Sequence, residues 1–186
     1  NIRGNMKKII YLTIIAIIFA VTIFNAFSDK SNTTVAVYNI SQVVPGKNNS
    51  IPDFKFEKDG KFISFKEFVK GKVVFINFWG TWCPPCRREI PDIIEINKEL
   101  SGKDFIVVGI AMERAADPVS QVQSFAQKNG INYINFINIP ELSEAYGGIP
   151  AVPTTFIVDK NGNIAEKIVG MRDKAGFMQS INRVLK

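Results

Sequence analysis

One stretch constrains this chain more than any other: Phe78-Trp79-Gly80-Thr81-Trp82-Cys83-Pro84-Pro85-Cys86-Arg87-Arg88-Glu89, which holds its only two cysteines, three positions apart. Before it, Lys72 to Trp79 is β-branched and aromatic almost throughout, the mark of a buried strand. After it, Ile90, Ile93, Ile94, Ile96 and Leu100 recur at helical spacing between Pro85 and Leu100. Cys83 therefore stands at the N-terminus of a helix, where the positive end of the macrodipole and free backbone N–H groups favour thiolate over thiol. Two thiols at this spacing can close a small disulfide ring and reopen it, which is dithiol–disulfide exchange.

Other uses of such a pair fit less well. A structural zinc site needs about four ligands, and the chain offers two cysteines and no histidine. Covalent haem attachment needs histidine after the second cysteine, where Arg87 stands. As a staple the ring is too short to constrain the unfolded chain much. No metal and no cofactor are expected.

At 186 residues, 46% hydrophobic and 22% charged, the chain suits one globular domain plus an appendage. The appendage is Ile9 to Phe27, which carries no charge and as a helix would span about 28 Å, close to a bilayer's hydrocarbon core. Lys7 and Lys8 precede it, so the positive-inside rule leaves residues 1–8 in the cytoplasm and sends the rest across. The expectation is a single-pass signal anchor over 9–27 in the cytoplasmic membrane, with the domain facing the periplasm or cell exterior. The alternative is a signal peptide cleaved near Ser28. Arg3, Lys7 and Lys8 supply three of the net +6 charges, and the remaining balance of +3 is an ordinary solvated surface. No basic stripe argues for nucleic acid.

Residues 28–50 are polar and rich in breakers, a linker with a short strand near Val35 to Tyr38. The domain is expected over 51–186. Ile51 to Phe65 has hairpin character around Asp59-Gly60, and Phe65 to Val69 is a short helix. The active helix contains Pro91, which is expected to kink it. A strand over Asp104 to Met112, a helix from Asp117 to Asn129, a strand over Tyr133 to Ile139 and a short helix at Pro140 to Tyr146 follow. Strands at Thr154 to Val158 and Asn163 to Val169 and a helix from Asp173 to Leu185 close the chain. Strands alternating with helices indicate an α/β sandwich around a mixed sheet.

On these residues the sequence resembles the thioredoxin superfamily, in particular the membrane-anchored ResA/TlpA group of thiol-disulfide oxidoreductases. The matching pieces are Ile51-Pro52-Asp53-Phe54, Phe78 to Cys86, Glu89-Ile90-Pro91 and Val152-Pro153-Thr154-Thr155-Phe156. The resemblance implies a thioredoxin-like three-layer sandwich, a mixed central sheet with helices on both faces, an N-terminal hairpin and a βα insertion at Asp104 to Asn138. It implies a Cys83–Cys86 disulfide in the oxidised form, and a cis Pro153 beside the dithiol that binds substrate together with Val152. Its implied partners are disulfide-containing proteins, apocytochrome c among them in cytochrome c maturation, and a DsbD/CcdA-like membrane reductant. A monomer is expected.

Position makes Cys83 the exposed nucleophile and Cys86, one turn inside, the resolving thiol. Trp82, flanking the nucleophile at a strand end, is assigned with Pro84 and Pro85 to the substrate-binding surface, and Trp79 to the core. Glu89 lies three residues after Cys86 on the same helix face. It has two readings. One is a first-turn carboxylate set against the helix dipole. The other is a base that takes the Cys86 proton, needed because Asn77 stands where thioredoxin has a buried aspartate; the ResA resemblance favours it. Two rival functions remain open. A peroxiredoxin-like peroxidase would want threonine where Gly80 stands, and a non-catalytic binding module would not need the cysteines at all.

Overall fold

The computed structural model describes Ile14, Ile15, Ile17, Phe19 and residues 35–185. The expected segment 1–8 and most of the expected anchor 9–27 lie outside these residues. Among the described residues no helix is long and apolar enough to cross a membrane.

The strand entering the dithiol, β5 (Val73–Trp79), is buried along its whole length. It lies inside a six-stranded sheet with the other strands β1 (Val37–Asn39), β6 (Phe105–Ala111), β7 (Ile134–Ile137), β8 (Thr154–Val158) and β9 (Ile164–Val169). The order is β1-β7-β6-β5-β8-β9; β5, β6, β7 and β1 run parallel, and β8 is antiparallel to both its neighbours. Both faces are covered, which is why β5 is a continuous apolar run rather than an alternating one.

Side chains alternate across β5. Phe75 and Trp79 enter a core with Ile90, Ile93 and Ile96 of α2 (Pro84–Glu99), Val122 and Ala126 of α3 (Pro118–Asn129), and Phe177 and Ile181 of α5 (Lys174–Val184). Val74, Ile76 and Phe78 enter a second core with Phe54, Phe56, Phe65 and Phe136. That face is covered by a three-stranded sheet of β2 (Ser41–Val44), β3 (Asp53–Lys58) and β4 (Lys61–Ser64), by α1 (Phe65–Phe68) and by α4 (Pro140–Ala145). Rings pack face to face at Phe54–Phe65 (4.4 Å) and edge-on at Phe56–Phe136 (4.9 Å). This is the three-layer, thioredoxin-like sandwich expected. The hairpin turn carries positive φ at both Asp59 and Gly60, as a tight primed turn requires.

Three expectations are refined. The insertion forms β6-α3-β7, and its strand lies between β6 and the edge strand β1. α2 stays one helix through Pro91. The linker expected over 28–50 contains β1 and β2, so the compact unit begins at Thr34 rather than Ile51. Tyr38 explains why: its ring packs on Phe56 at 5.2 Å and Phe136 at 6.0 Å, so this part of the polar stretch is tied into the core.

Candidate active site

The strand-to-helix junction is built tightly. Cys83 caps α2, its Sγ accepting from the Cys86 backbone N–H at 3.2 Å, with Pro84 and Pro85 filling the first positions. Neither proline has an N–H to offer, so the sulfur receives one backbone donor where a longer run of amides would offer more. Cys83 and Cys86 are joined in a disulfide. Cys83 is 2% exposed, which corrects the expectation of an exposed nucleophile: in the oxidised state its sulfur is covered, with the Val152 carbonyl oxygen 3.6 Å away.

The Val152-Pro153 peptide bond is cis. The loop carrying it is held from both sides, by the Thr154 hydroxyl donating to Ala151 O at 2.8 Å and by Gly170 N–H donating to Pro153 O at 2.8 Å. Trp82 is 51% exposed; its indole N–H donates to Met112 O at 2.9 Å and the Arg114 guanidinium lies over its ring at 5.6 Å. Gly80 makes this possible, since a Cβ there would sit 2.7 Å from Trp82 Nε1. Trp82, Met112, Arg114, Ile149 and Val152 line a hollow of about 220 Å³ beside the disulfide. Trp79 is core, its indole N–H donating to Asn135 Oδ1 at 3.0 Å.

Below the disulfide lies a buried polar cluster. Period two along β5 puts Asn77 on the α2 face with Phe75 and Trp79. Its amide donates to Glu89 Oε1 at 2.9 Å and to the Thr155 hydroxyl at 3.0 Å. Glu89 is 1% exposed, and its Oε2 has no hydrogen-bond partner. The Arg172 backbone N–H acts on the carboxylate without closing a well-formed hydrogen bond. Desolvation dominates. It outweighs the Asn77 and Arg172 donors, is reinforced by the charge of Asp92, and raises the Glu89 pKa to about 7. This is not the environment of a solvated helix-end charge.

Sequence reasoning missed three members of this neighbourhood. Thr155 faces Asn77 across the β5–β8 ladder, a pairing no local pattern reveals. Glu113 accepts from the Thr81 N–H at 2.6 Å and from its hydroxyl at 3.0 Å, and Gln121 donates to that hydroxyl at 2.7 Å. Together Glu113 and Gln121 bind the loop before Cys83 to the insertion. Among the described residues no cluster of three or more acidic or cysteine side chains could hold a metal.

A closed cysteine pair at a helix start, a covered sulfur beside a proline loop and a carboxyl group titrating near neutrality can together exchange a disulfide and move a proton. Comparison with known proteins points the same way. Residues 46–183 match the family model described as Redoxin. The thiol-disulfide oxidoreductase ResA of Geobacillus thermodenitrificans is 31% identical over 183 residues, 96% of this chain and 94% of that one. The thioredoxin-like protein YneN of Bacillus subtilis is 30% identical over 78% of this chain and 84% of its own length. Among solved structures, a thioredoxin-family thiol:disulfide interchange protein from Chlorobium tepidum TLS superposes with a TM-score of 0.66 at 36% identity, covering 77% of this chain and all of that one.

Proposed function

Because this chain belongs to the Redoxin family and is a thiol-disulfide oxidoreductase of the ResA kind, we propose that it reduces protein disulfides outside the cytoplasm, tethered by residues 9–27. The observation that carries the exchange chemistry is the buried Glu89 carboxyl, one helical turn beyond Cys86, with its pKa raised to about 7; the reducing direction is supported by the single backbone donor to Cys83 Sγ. The Cys83 thiolate attacks one sulfur of a substrate disulfide, forming a mixed disulfide and releasing the other sulfur as thiolate. Cys86 then loses its proton to Glu89 and attacks Cys83 Sγ. The Cys83–Cys86 disulfide closes, the second substrate sulfur leaves, and two electrons have passed to the substrate. Glu89 returns its proton to a departing thiolate. Trp82, Pro84, Pro85, Val152 and Pro153 form the surface on which the substrate segment lies.

Oxidised enzyme needs a dithiol donor on the same side of the membrane, and a DsbD/CcdA-like membrane protein fits that requirement. Apocytochrome c, with two cysteines near in sequence, is a suitable substrate, and other secreted disulfide proteins meet the same chemistry. Cys86→Ser tests the scheme, since it leaves the Cys83 mixed disulfide unresolved. Trapped partners carrying reducible cysteine pairs support the reading; a Cys86→Ser protein that traps nothing while Cys83→Ser retains activity overturns it.

A further inference from the structure

Four carboxyl groups lie along one ridge of α2 at helical spacing: Glu89, Asp92, Glu95 and Glu99. Glu95 and Glu99 are exposed and Asp92 is half-buried, yet Glu89 is 1% exposed. The difference lies in what runs over the ridge. The connection from β9 into α5, residues 170–173, is pinned at both ends. At its start Gly170 turns the chain at φ 93° and donates its N–H to Pro153 O at 2.8 Å, on the loop beside Cys83. At its end the Lys174 N–H donates to Asp92 Oδ2 at 2.9 Å, while Lys174 Nζ pairs with Glu95 at 3.2 Å and Glu99 at 3.0 Å. Between these pins the Arg172 backbone N–H approaches the Glu89 carboxyl, one helical turn before Asp92. Met171, Arg172 and Asp173 are themselves exposed, so the cover over Glu89 is a single run of chain.

The Arg172 side chain supplies a third hold, at the middle. Its Nη1 donates to Glu166 Oε1 at 3.2 Å and to Ser180 Oγ at 3.3 Å, so one guanidinium ties the connection to both β9 and α5. The titratable groups facing Glu89 from its surroundings are few. On α2, Asp92 opposes its ionisation, and Cys86, one turn back, is locked in the disulfide. Tyr133, entering β7, is kept neutral by burial and then by the Glu89 charge. From β5 and β8 come only the neutral Asn77 and Thr155. Exclusion of water outweighs each of these in setting the state of the carboxyl.

We propose that Arg172, its guanidinium clamped on Glu166 and Ser180, is a positioning residue that holds residues 170–173 as a strap over Glu89 and keeps water from the carboxyl. The inference deepens the reading of Glu89 as the proton acceptor and rests on it for any effect on rate. Loosening the strap has two opposed consequences. Water admitted to the carboxyl favours the charged form, and loss of the Arg172 N–H disfavours it. Desolvation is the larger cause, so the net change is a lower pKa. The group then stays ionised near neutrality and is a weaker base for the Cys86 proton.

The test follows Glu89 directly in the oxidised full chain, where neither cysteine titrates, by carbon-13 NMR of labelled glutamate carboxyls. The Glu89 signal is the one that Glu89→Gln removes. Arg172→Met should lower its titration midpoint by about one pH unit. Arg172→Lys, which keeps a cation for Glu166, should lower it less. Ser180→Ala removes one of the two acceptors and should shift the midpoint the same way by a smaller amount; it decides the matter alone if Arg172→Met does not fold. A midpoint that stays in place or rises in Arg172→Met, or that stays in place in Ser180→Ala when only that variant folds, overturns the strap. Stopped-flow resolution of a mixed disulfide reads the catalytic role separately, and its pH profile should move with the NMR midpoint. A midpoint that falls while that profile keeps its wild-type position leaves the strap standing and overturns Glu89 as the proton acceptor.

Discussion

Glu89 concentrates the residue-scale chemistry. A carboxyl group with one oxygen unpartnered has its pKa raised to about 7 by burial, so near neutrality it can both take up and return a proton. Glu89→Gln keeps the shape and removes the titration. It should slow resolution of the mixed disulfide by roughly 10- to 100-fold near neutrality, with a flattened pH profile, in stopped-flow measurements. Wild-type rates across the neutral range would return Glu89 to the role of a helix-end charge. The same shift predicts stability. The folded pKa lies above the ordinary value of 4.5, so the contribution is fully present below that value and is lost as pH rises through about 7. The loss is of order 3 kcal/mol, and denaturant titrations of the oxidised Glu89→Gln protein should lack it. Asn77 acts in the opposite sense, because its amide favours the ionised form. Asn77→Ala should therefore move the pH midpoint of activity upward; an unmoved midpoint would separate the amide from the titration.

At the scale of elements, the two N-terminal strands decide where the folded unit starts. β1 pairs with β7, and Val37 and Ile40 are buried. Removing this segment deletes two buried side chains from the cores, a loss of about 3–5 kcal/mol in all. A chain beginning at Thr34 should melt with the same transition as the full-length protein. One beginning at Asn48 should melt at least about 10 °C lower. Equal transitions would show β1 and β2 to be decoration. Gly109 on β6 tests the contact between neighbouring strands: a Cβ there would lie 2.0 Å from Asn135 Oδ1 and 2.9 Å from Trp79 Nε1. Gly109→Ala should break the Trp79–Asn135 hydrogen bond and cost about 2–3 kcal/mol in chemical denaturation.

For the whole molecule, the redox poise follows from how little holds the Cys83 thiolate: a helix N-terminus, one backbone N–H from Cys86 and none from Pro84 or Pro85. Equilibration with glutathione should give a potential between about −200 and −300 mV, near thioredoxin; a value near −120 mV would mark an oxidant instead. Local chemistry made much of this legible beforehand. An unbroken β-branched run had to be a strand buried on both faces, a proline pair after Cys83 had to open a helix, and period two had to turn Asn77 toward that helix. Sequence could not tell whether Glu89 was a solvated charge or a buried acid, because desolvation depends on what α2 packs against. It could not pair Thr155 with Asn77, attach Glu113 and Gln121 to Thr81, or place Tyr38 among core rings, because each contact joins residues from separate elements. Sequence determined the strand, the helix and the pair of thiols. Only the tertiary structure decided how dry their surroundings are, and burial sets the proton affinity of Glu89.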